Sequence, residues 1–114
     1  MIKNKTKKTI IASKQKIVTS IFSKTLGLMF SRKIHDFGLI FKFNKEQKVP
    51  LHMWFVFYPI DVLFLDRDKK IIEIKENFKP FTFYSPKEDA LYIVELPNGS
   101  IKRSKTAVWD LIEF

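Results

Sequence analysis

The sequence contains no cysteine, and only three glycines and two histidines occur among its 114 residues. The absence of cysteine excludes disulfide bonds and cysteine-ligated metal sites. So few glycines leave no room for a Gly-rich phosphate loop or a dinucleotide-binding fingerprint. Neither His35 nor His52 lies in a pattern typical of nucleophilic catalysis. We therefore predict no catalytic residue, no metal site and no cofactor.

Acidic residues are missing from the first 35 positions, which carry nine Lys and Arg residues. From Asp36 onward twelve basic and twelve acidic residues balance, so the formal charge of +9 belongs to the N-terminal third. This asymmetry indicates a basic arm, residues 1–16, attached to a neutral domain, residues 17–114. The arm is either a frayed, solvated terminus or a contact for anionic lipid or RNA. Its lysines are Lys3, Lys5, Lys7, Lys8, Lys14 and Lys16.

A long uninterrupted apolar run is also missing. The apolar stretch after the first lysines is only residues 10–12, whereas a signal peptide needs about 7–15 such residues. The mostly apolar stretch 49–65 includes His52, Asp61 and two prolines, which disfavour a membrane-spanning helix. We expect a cytoplasmic protein without a transmembrane segment, with peripheral membrane association as the alternative.

Hydrophobic residues make up 46% of the chain, enough for one core. Short apolar runs separated by turn residues predict strands at 38–43, 51–57, 60–65, 70–75, 90–96 and 111–114. Asn98-Gly99 predicts a hairpin whose return strand starts at Ile101. Helical spacing within residues 17–30 predicts one helix. The fold class is mainly β, a compact sandwich, jelly-roll-like or barrel-like domain with one short N-terminal helix.

Two acidic residues lie on predicted strand faces that are otherwise apolar. Asp61 alternates with Leu63, and Glu95 alternates with Ile93. A desolvated carboxyl group must be paired, hydrogen-bonded or protonated, and Arg32 is a candidate partner. The structural interpretation is a buried ion pair or cap that pins the helix to the sheet. The functional interpretation is a polar group at a ligand cleft.

Aromatic side chains supply the other candidate contacts. His52 and Trp54 share one face of a predicted strand, so both join the candidate ligand site. Most of the aromatic residues are expected in the core. The stretch 78–84, which Pro80 interrupts, is where we expect partial exposure.

Three ordered motifs resemble the family catalogued as domain of unknown function 192, and most closely its archaeal branch. The motifs are residues 27–32, residues 53–66 and residues 94–99. Positions that match the family pattern are Gly27, Leu28, Met29, Arg32, Met53, Pro59, Asp61, Glu95, Gly99 and Asp110. The resemblance implies a compact, mainly β fold and no established activity. Where the family commonly has Gly-Asp, this chain has Trp109-Asp110, so no tight glycine turn is expected there.

These observations predict a non-enzymatic ligand-binding or interaction module. Its predicted ligand-binding residues are Arg32, Asp61, Glu95, His52 and Trp54. The partner would be a small ligand or a protein. The alternative is a peripheral anion-binding protein that contacts anionic membrane or RNA through its lysine-rich arm.

Overall fold

The computed structural model describes residues 1–18, 36–52 and 58–114, with the backbone alone for residues 18 and 52. These ranges are mainly β, as predicted. The strands are β1 (Ile2–Asn4), β2 (Thr9–Ala12), β3 (Lys14–Val18), β4 (Phe37–Gln47), β5 (Leu51–His52), β6 (Ile60–Leu65), β7 (Ile71–Phe78), β8 (Phe83–Tyr84), β9 (Ala90–Pro97) and β10 (Ile112–Glu113), and the helix α1 is Ser100–Arg103.

The described strands form three open sheets rather than a closed barrel. A central five-stranded sheet has the order β3-β4-β9-β6-β7, a three-stranded sheet has the order β10-β1-β2, and β5 pairs with β8. Within the central sheet, β3 runs parallel to β4, whereas β4, β9, β6 and β7 are antiparallel neighbours.

The central sheet has an apolar cluster on each face. Strand β6 is buried at all six positions, because neighbours cover both of its faces. On one face, Ile40, Leu63 and Val94 pack with residues of the three-stranded sheet and α1. On the other face, Val62 and Ile93 pack with residues of β4, β5 and β7. We call these the α1 face and the β5 face.

The N-terminal residues contribute to this core. Ile2, Ile11 and Ala12 are completely buried in the cluster on the α1 face, and residues 1–16 contain β1, β2 and most of β3. The interpretation of this segment as a frayed terminus is therefore wrong. In β1 strand alternation explains the result, since Ile2 and Asn4 are buried while Lys3 between them faces outward.

The predicted N-terminal helix is not supported. Ile17 lies in β3, where it pairs in parallel with Ile40, and residues 19–30 lie outside the described residues. Within the described ranges the helix is α1, near the C-terminus. The helical spacing of the apolar residues at 17 and 21 predicted a helix because it gives no sign of the pairing of β3 with β4, which is distant in sequence.

The return strand predicted from Ile101 is also wrong, because α1 follows β9. Gly99 provides the turn with a φ of 91°, a conformation that glycine adopts readily. The chain then turns into the helix, and Ile101 is buried in the apolar cluster of the α1 face. The Asn-Gly pair was correctly predicted as a turn, but long-range contacts decided what followed it.

Candidate functional site

Asp61 is a buried carboxylate that accepts three backbone hydrogen bonds. Its Oδ2 accepts from the N–H groups of Gly99 at 3.1 Å and Ile101 at 3.0 Å, and its Oδ1 accepts from Asn77 at 3.0 Å. The first two donors belong to the start of α1, where backbone N–H groups have no partner within the helix. Asp61 therefore caps α1 from a neighbouring strand and ties it to the end of β7.

Glu95 is buried without a comparable set of partners. Its side chain is 4% exposed, and its Oε2 has no hydrogen-bond partner among the described residues. Burial raises the pKa of the Glu95 carboxyl from 4.5 to about 8, since an apolar environment disfavours the charged form. The group is therefore mostly protonated at neutral pH and can donate one hydrogen bond.

Asp61 and Glu95 lie on opposite faces of the central sheet. Glu95 is opposite Val62 in the β6–β9 register, and Val62 belongs to the cluster on the β5 face. Asp61 is opposite Leu96, which belongs to the cluster on the α1 face. Directly paired residues point to the same side of a sheet, so these two carboxyl groups do not form one site.

The other predicted ligand contacts are only partly described. Arg32 and Trp54 lie outside the described residues, and of His52 the structure describes the backbone, which pairs with Phe83 in the β5–β8 sheet. Their predicted roles stay predictions. The predicted partial exposure of the stretch 78–84 is confirmed, since Phe83 is 69% exposed whereas Phe78 is buried.

The six N-terminal lysines all carry exposed side chains on an ordered backbone. More positive charge lies close by in α1. The Arg103 guanidinium donates hydrogen bonds to the carbonyl oxygens of Ile10 at 3.1 Å and Ile11 at 2.5 Å. This contact places α1 and its exposed Lys102 beside β2, so basic residues of α1 lie close to an N-terminal strand from which they are distant in sequence.

Asp110 is the centre of a polar network for which no role was predicted from the sequence. The carboxyl Oδ2 accepts hydrogen bonds from Asn4 Nδ2 at 2.9 Å, Lys7 Nζ at 2.8 Å and the Ala107 N–H at 3.0 Å. Burial by itself raises the pKa of Asp110, but hydrogen bonds from Asn4, Lys7 and Ala107 leave it below its usual value. Asn4 also donates to Thr106 at 3.1 Å, so the network joins the two ends of the chain.

Residues 107–110, which we call the Trp109 turn, are tight although they contain no glycine. The Asp110 N–H donates to the Ala107 carbonyl oxygen at 3.2 Å, and Trp109 has a φ of 79°. This is the third position of a turn, where a positive φ usually calls for glycine or asparagine. A tight turn therefore forms here without the glycine of the family pattern, and the hydrogen bonds that Asp110 accepts from Asn4, Lys7 and Ala107 hold it in place.

Within the described part of the chain, no group of three or more His, Cys, Asp or Glu side chains could hold a metal ion. No helix described there is long and apolar enough to cross a membrane.

Comparison with known proteins places this architecture among uncharacterised proteins. The model of the family DUF192, described as "Uncharacterized ACR", matches residues 2–114. A UPF0127 protein of Thermococcus sibiricus is 33% identical over 116 residues, which cover 100% of this chain and 74% of that protein. A UPF0127 protein of Pyrococcus horikoshii is 30% identical over 114 residues, covering 100% of this chain and 98% of that protein.

Two solved structures share the fold. One, from Sinorhizobium meliloti, is described as a candidate transcription regulator; it is 28% identical, with a TM-score of 0.79, covering 87% of this chain and 79% of that one. The other, from Novosphingobium aromaticivorans, is a protein of unknown function. It is 21% identical, with a TM-score of 0.78, covering 88% of this chain and 74% of that one.

Proposed function

This chain belongs to the DUF192 family, as its motifs predicted, and we propose that it is a non-enzymatic binding module whose polar contact is the Glu95 carboxyl. The observation that supports this proposal is the burial of Glu95 without a partner for Oε2 among the described residues. A buried polar group left unpaired costs about 1–3 kcal/mol. Among the described residues no hydrogen bond offsets this cost at Oε2, whereas a ligand that completes the hydrogen bonding of the carboxyl group would.

The surroundings of Glu95 favour a small, mainly apolar ligand with one basic nitrogen. Leu39 and Val62 lie directly beside Glu95 on the neighbouring strands, and aromatic side chains including Phe41 and Phe64 belong to the same cluster. A basic nitrogen that enters as the free amine accepts a hydrogen bond or the proton from the carboxyl group, whereas one that enters as an ammonium ion forms an ion pair while the carboxyl group releases its proton to solvent. In an apolar environment such a contact is stronger than in water.

Asp61 has a structural role in this proposal. Its two oxygens already accept backbone hydrogen bonds, and it lies on the other face of the sheet. Arg32, His52 and Trp54 stay proposed members of the ligand site on sequence grounds alone. In a glycosidase the two catalytic carboxyl groups lie about 5–10 Å apart across one cleft. Asp61 and Glu95 lie on opposite faces of the sheet, so they do not form such a pair.

The test uses benzylamine as the basic probe and benzyl alcohol as its neutral counterpart. We expect millimolar benzylamine at pH 7 to shift the backbone amide NMR signals of Leu39, Val62 and Glu95. The variant Glu95→Gln should lose these shifts, and the exposed control Glu88→Gln should keep them. Equal shifts in Glu95→Gln, or no shifts at these amides with either probe, would contradict the proposal.

The second candidate function is peripheral anion binding through the N-terminal lysines. The observation that favours it is their exposure on ordered strands beside the basic residues of α1. An ordered array of lysines contacts phosphates without first paying the entropy of ordering a flexible arm. Such a protein would lie at the periphery of an anionic membrane or on RNA.

Deleting residues 1–16 is an unsuitable test of this function, because the deletion would remove Ile2 and Ile11 from the core. We instead compare the triple variant Lys3→Gln, Lys5→Gln, Lys8→Gln with a control of equal net charge. The control variant is Lys42→Gln, Lys45→Gln, Lys48→Gln. Retention on phosphatidylserine vesicles or poly(U) RNA at 50 mM NaCl should fall only in the first; an equal loss in both variants would refute the assignment to the N-terminal lysines.

A further inference from the structure

The Trp109 turn and Leu111, which follows it, expose large apolar side chains beside the N-terminal strands. Trp109 is 68% exposed, and Val108 and Leu111 are each 38% exposed. A bulky residue with a positive φ is rare, and such a conformation lowers the folding equilibrium constant by about five- to thirtyfold. Neither burial nor backbone geometry explains the tryptophan, which indicates that its exposed indole has another role.

The turn is held rigidly to the body of the protein. The Trp109 N–H donates to the Ile71 carbonyl oxygen at 2.8 Å, and the Leu111 N–H donates to Thr6 Oγ1 at 2.9 Å. Asp110, which lies between these two residues, accepts hydrogen bonds from Asn4 of β1 and from Lys7. The exposed side chains therefore stand on a fixed support, so a partner meets them with little ordering cost.

Lysines surround these apolar side chains. The β1–β10 register, continued by one residue beyond Asn4 and Ile112, places Lys5 opposite Leu111, and the Lys5 N–H donates to the Leu111 carbonyl oxygen at 2.8 Å. On the other side Leu111 forms a bridge with Lys70. Lys7 reaches Asp110, and Lys8 follows in the same turn between β1 and β2. The surface therefore combines an apolar tip with a basic rim.

Asp66, Asp110 and Glu113 are acidic residues close to this surface; Asp66 lies beside Lys70, and its Oδ1 accepts a hydrogen bond from the Lys70 N–H at 3.0 Å. Asp110 is buried and forms an ion pair with Lys7 at 2.8 Å. Glu113 is exposed and lies opposite Lys3 in the β1–β10 pair, one row further from the turn. Lys5, Lys8 and Lys70 form no ion pair with Asp66, Asp110 or Glu113 at salt-bridge distance.

We propose that the Trp109 turn inserts at the headgroup level of an anionic membrane while Lys5, Lys8 and Lys70 contact lipid phosphates. This inference deepens the second candidate function, on which it rests, by naming the lipid surface and the inserting residues. Tryptophan prefers the interface between headgroups and acyl chains, and lysines near an anionic bilayer strengthen binding about fivefold each. Single-stranded RNA fits less well, because Val108 and Leu111 have no aromatic face on which a base could stack.

The test is co-sedimentation of the full chain with vesicles of phosphatidylcholine alone or with 30% phosphatidylserine, at 50 and 500 mM NaCl. Trp109→Gly is the central variant, because it removes the indole and suits the positive φ, so it should fold at least as stably as the wild type. Phe83→Ser is the control, since Phe83 is equally exposed on another sheet. We expect phosphatidylserine-dependent, salt-sensitive binding that Trp109→Gly weakens about tenfold or more and Phe83→Ser leaves unchanged.

Each other outcome has a defined meaning. If the lysine triple variant loses binding but Trp109→Gly keeps it, the insertion is refuted and the anion-binding function stands. If the wild type ignores phosphatidylserine vesicles at 50 mM NaCl, the membrane assignment is refuted. If poly(U) binds in a Trp109-dependent manner and vesicles do not, the surface is a nucleic-acid site and the membrane proposal is overturned.

Discussion

Replacing Glu95 by glutamine should change how the stability of the protein depends on pH. Glutamine has nearly the same shape as glutamic acid and carries no charge at any pH. The wild-type carboxyl is buried on the β5 face of the central sheet, where its pKa is raised from 4.5 to about 8. The variant therefore isolates the cost of the buried charge from the packing of the side chain.

The sign follows from proton binding. The folded protein keeps a proton on Glu95 that the unfolded chain releases above pH 4.5, so the free energy of unfolding falls as the pH rises. The loss begins near pH 4.5 and ends near pH 8, above which both states are ionised. A shift from 4.5 to about 8 corresponds to roughly 5 kcal/mol over this window.

The assay is urea denaturation of the wild type and Glu95→Gln at pH 4, 6, 7, 8 and 9. At pH 4 the free energies of unfolding should agree within about 1 kcal/mol, because both side chains are then neutral. At pH 9 the variant should be more stable by about 3–5 kcal/mol. The control Glu88→Gln changes an exposed carboxyl and should follow the wild-type profile.

A difference between wild type and Glu95→Gln that stays constant from pH 4 to pH 9 would refute this reasoning. Such a result would show that the folded and unfolded states hold the Glu95 proton equally well, so the carboxyl would be solvated or paired. A variant less stable than the wild type at pH 9 would indicate a stabilising partner for the carboxylate. Either result would also remove the main support for Glu95 as a ligand contact.

Three further variants test the rest of the structure. Asp61→Ala should lower the free energy of unfolding by about 3–5 kcal/mol in urea, since it leaves three backbone donors without their carboxylate, whereas an equal effect from the exposed control Asp89→Ala would count against this role. Trp109→Gly should raise the free energy of unfolding by about 0.5–1 kcal/mol through relief of the positive φ, and a lower melting temperature would contradict this. Asp110→Asn should lower the free energy of unfolding by about 1–3 kcal/mol at pH 7. Because the pKa of Asp110 is lowered in the folded protein, the difference between variant and wild type should vanish as the pH falls below 3.8. A difference that persists in acid would refute the ionic contribution of Asp110.

Local patterns were sufficient for much of the β structure. The apolar runs at 60–65 and 70–75, with turn residues between them, predicted the strands β6 and β7, since such patterns depend on residues close in sequence. The burial of Asp61 and Glu95 was also predicted correctly, because both alternate with apolar residues along a strand. The position of these two side chains on opposite faces of the sheet was not predicted, because the register between β6 and β9 decides it.

The N-terminal strands show the limit of the sequence analysis most clearly. Dense lysines in residues 1–16 indicated an arm, yet β1 pairs with β10 from the other end of the chain, and β3 pairs with β4. Such pairings between distant segments leave little local signal beyond weak alternation of apolar residues. Asn4 and Asp110, which join the termini through one hydrogen bond, are likewise separated by most of the chain.

The sequence by itself determined the excess of basic residues at the N-terminus, the mainly β character, the family and the two buried acids. Each of these depends on composition or on residues a few positions apart. The tertiary structure alone decided that the lysines lie on ordered strands and that Trp109 is exposed among them. It also decided that Asp61 caps a helix, whereas Oε2 of Glu95 has no hydrogen-bond partner among the described residues. These results depend on which strands pair and in which register, and that choice is made by the packing of the whole core.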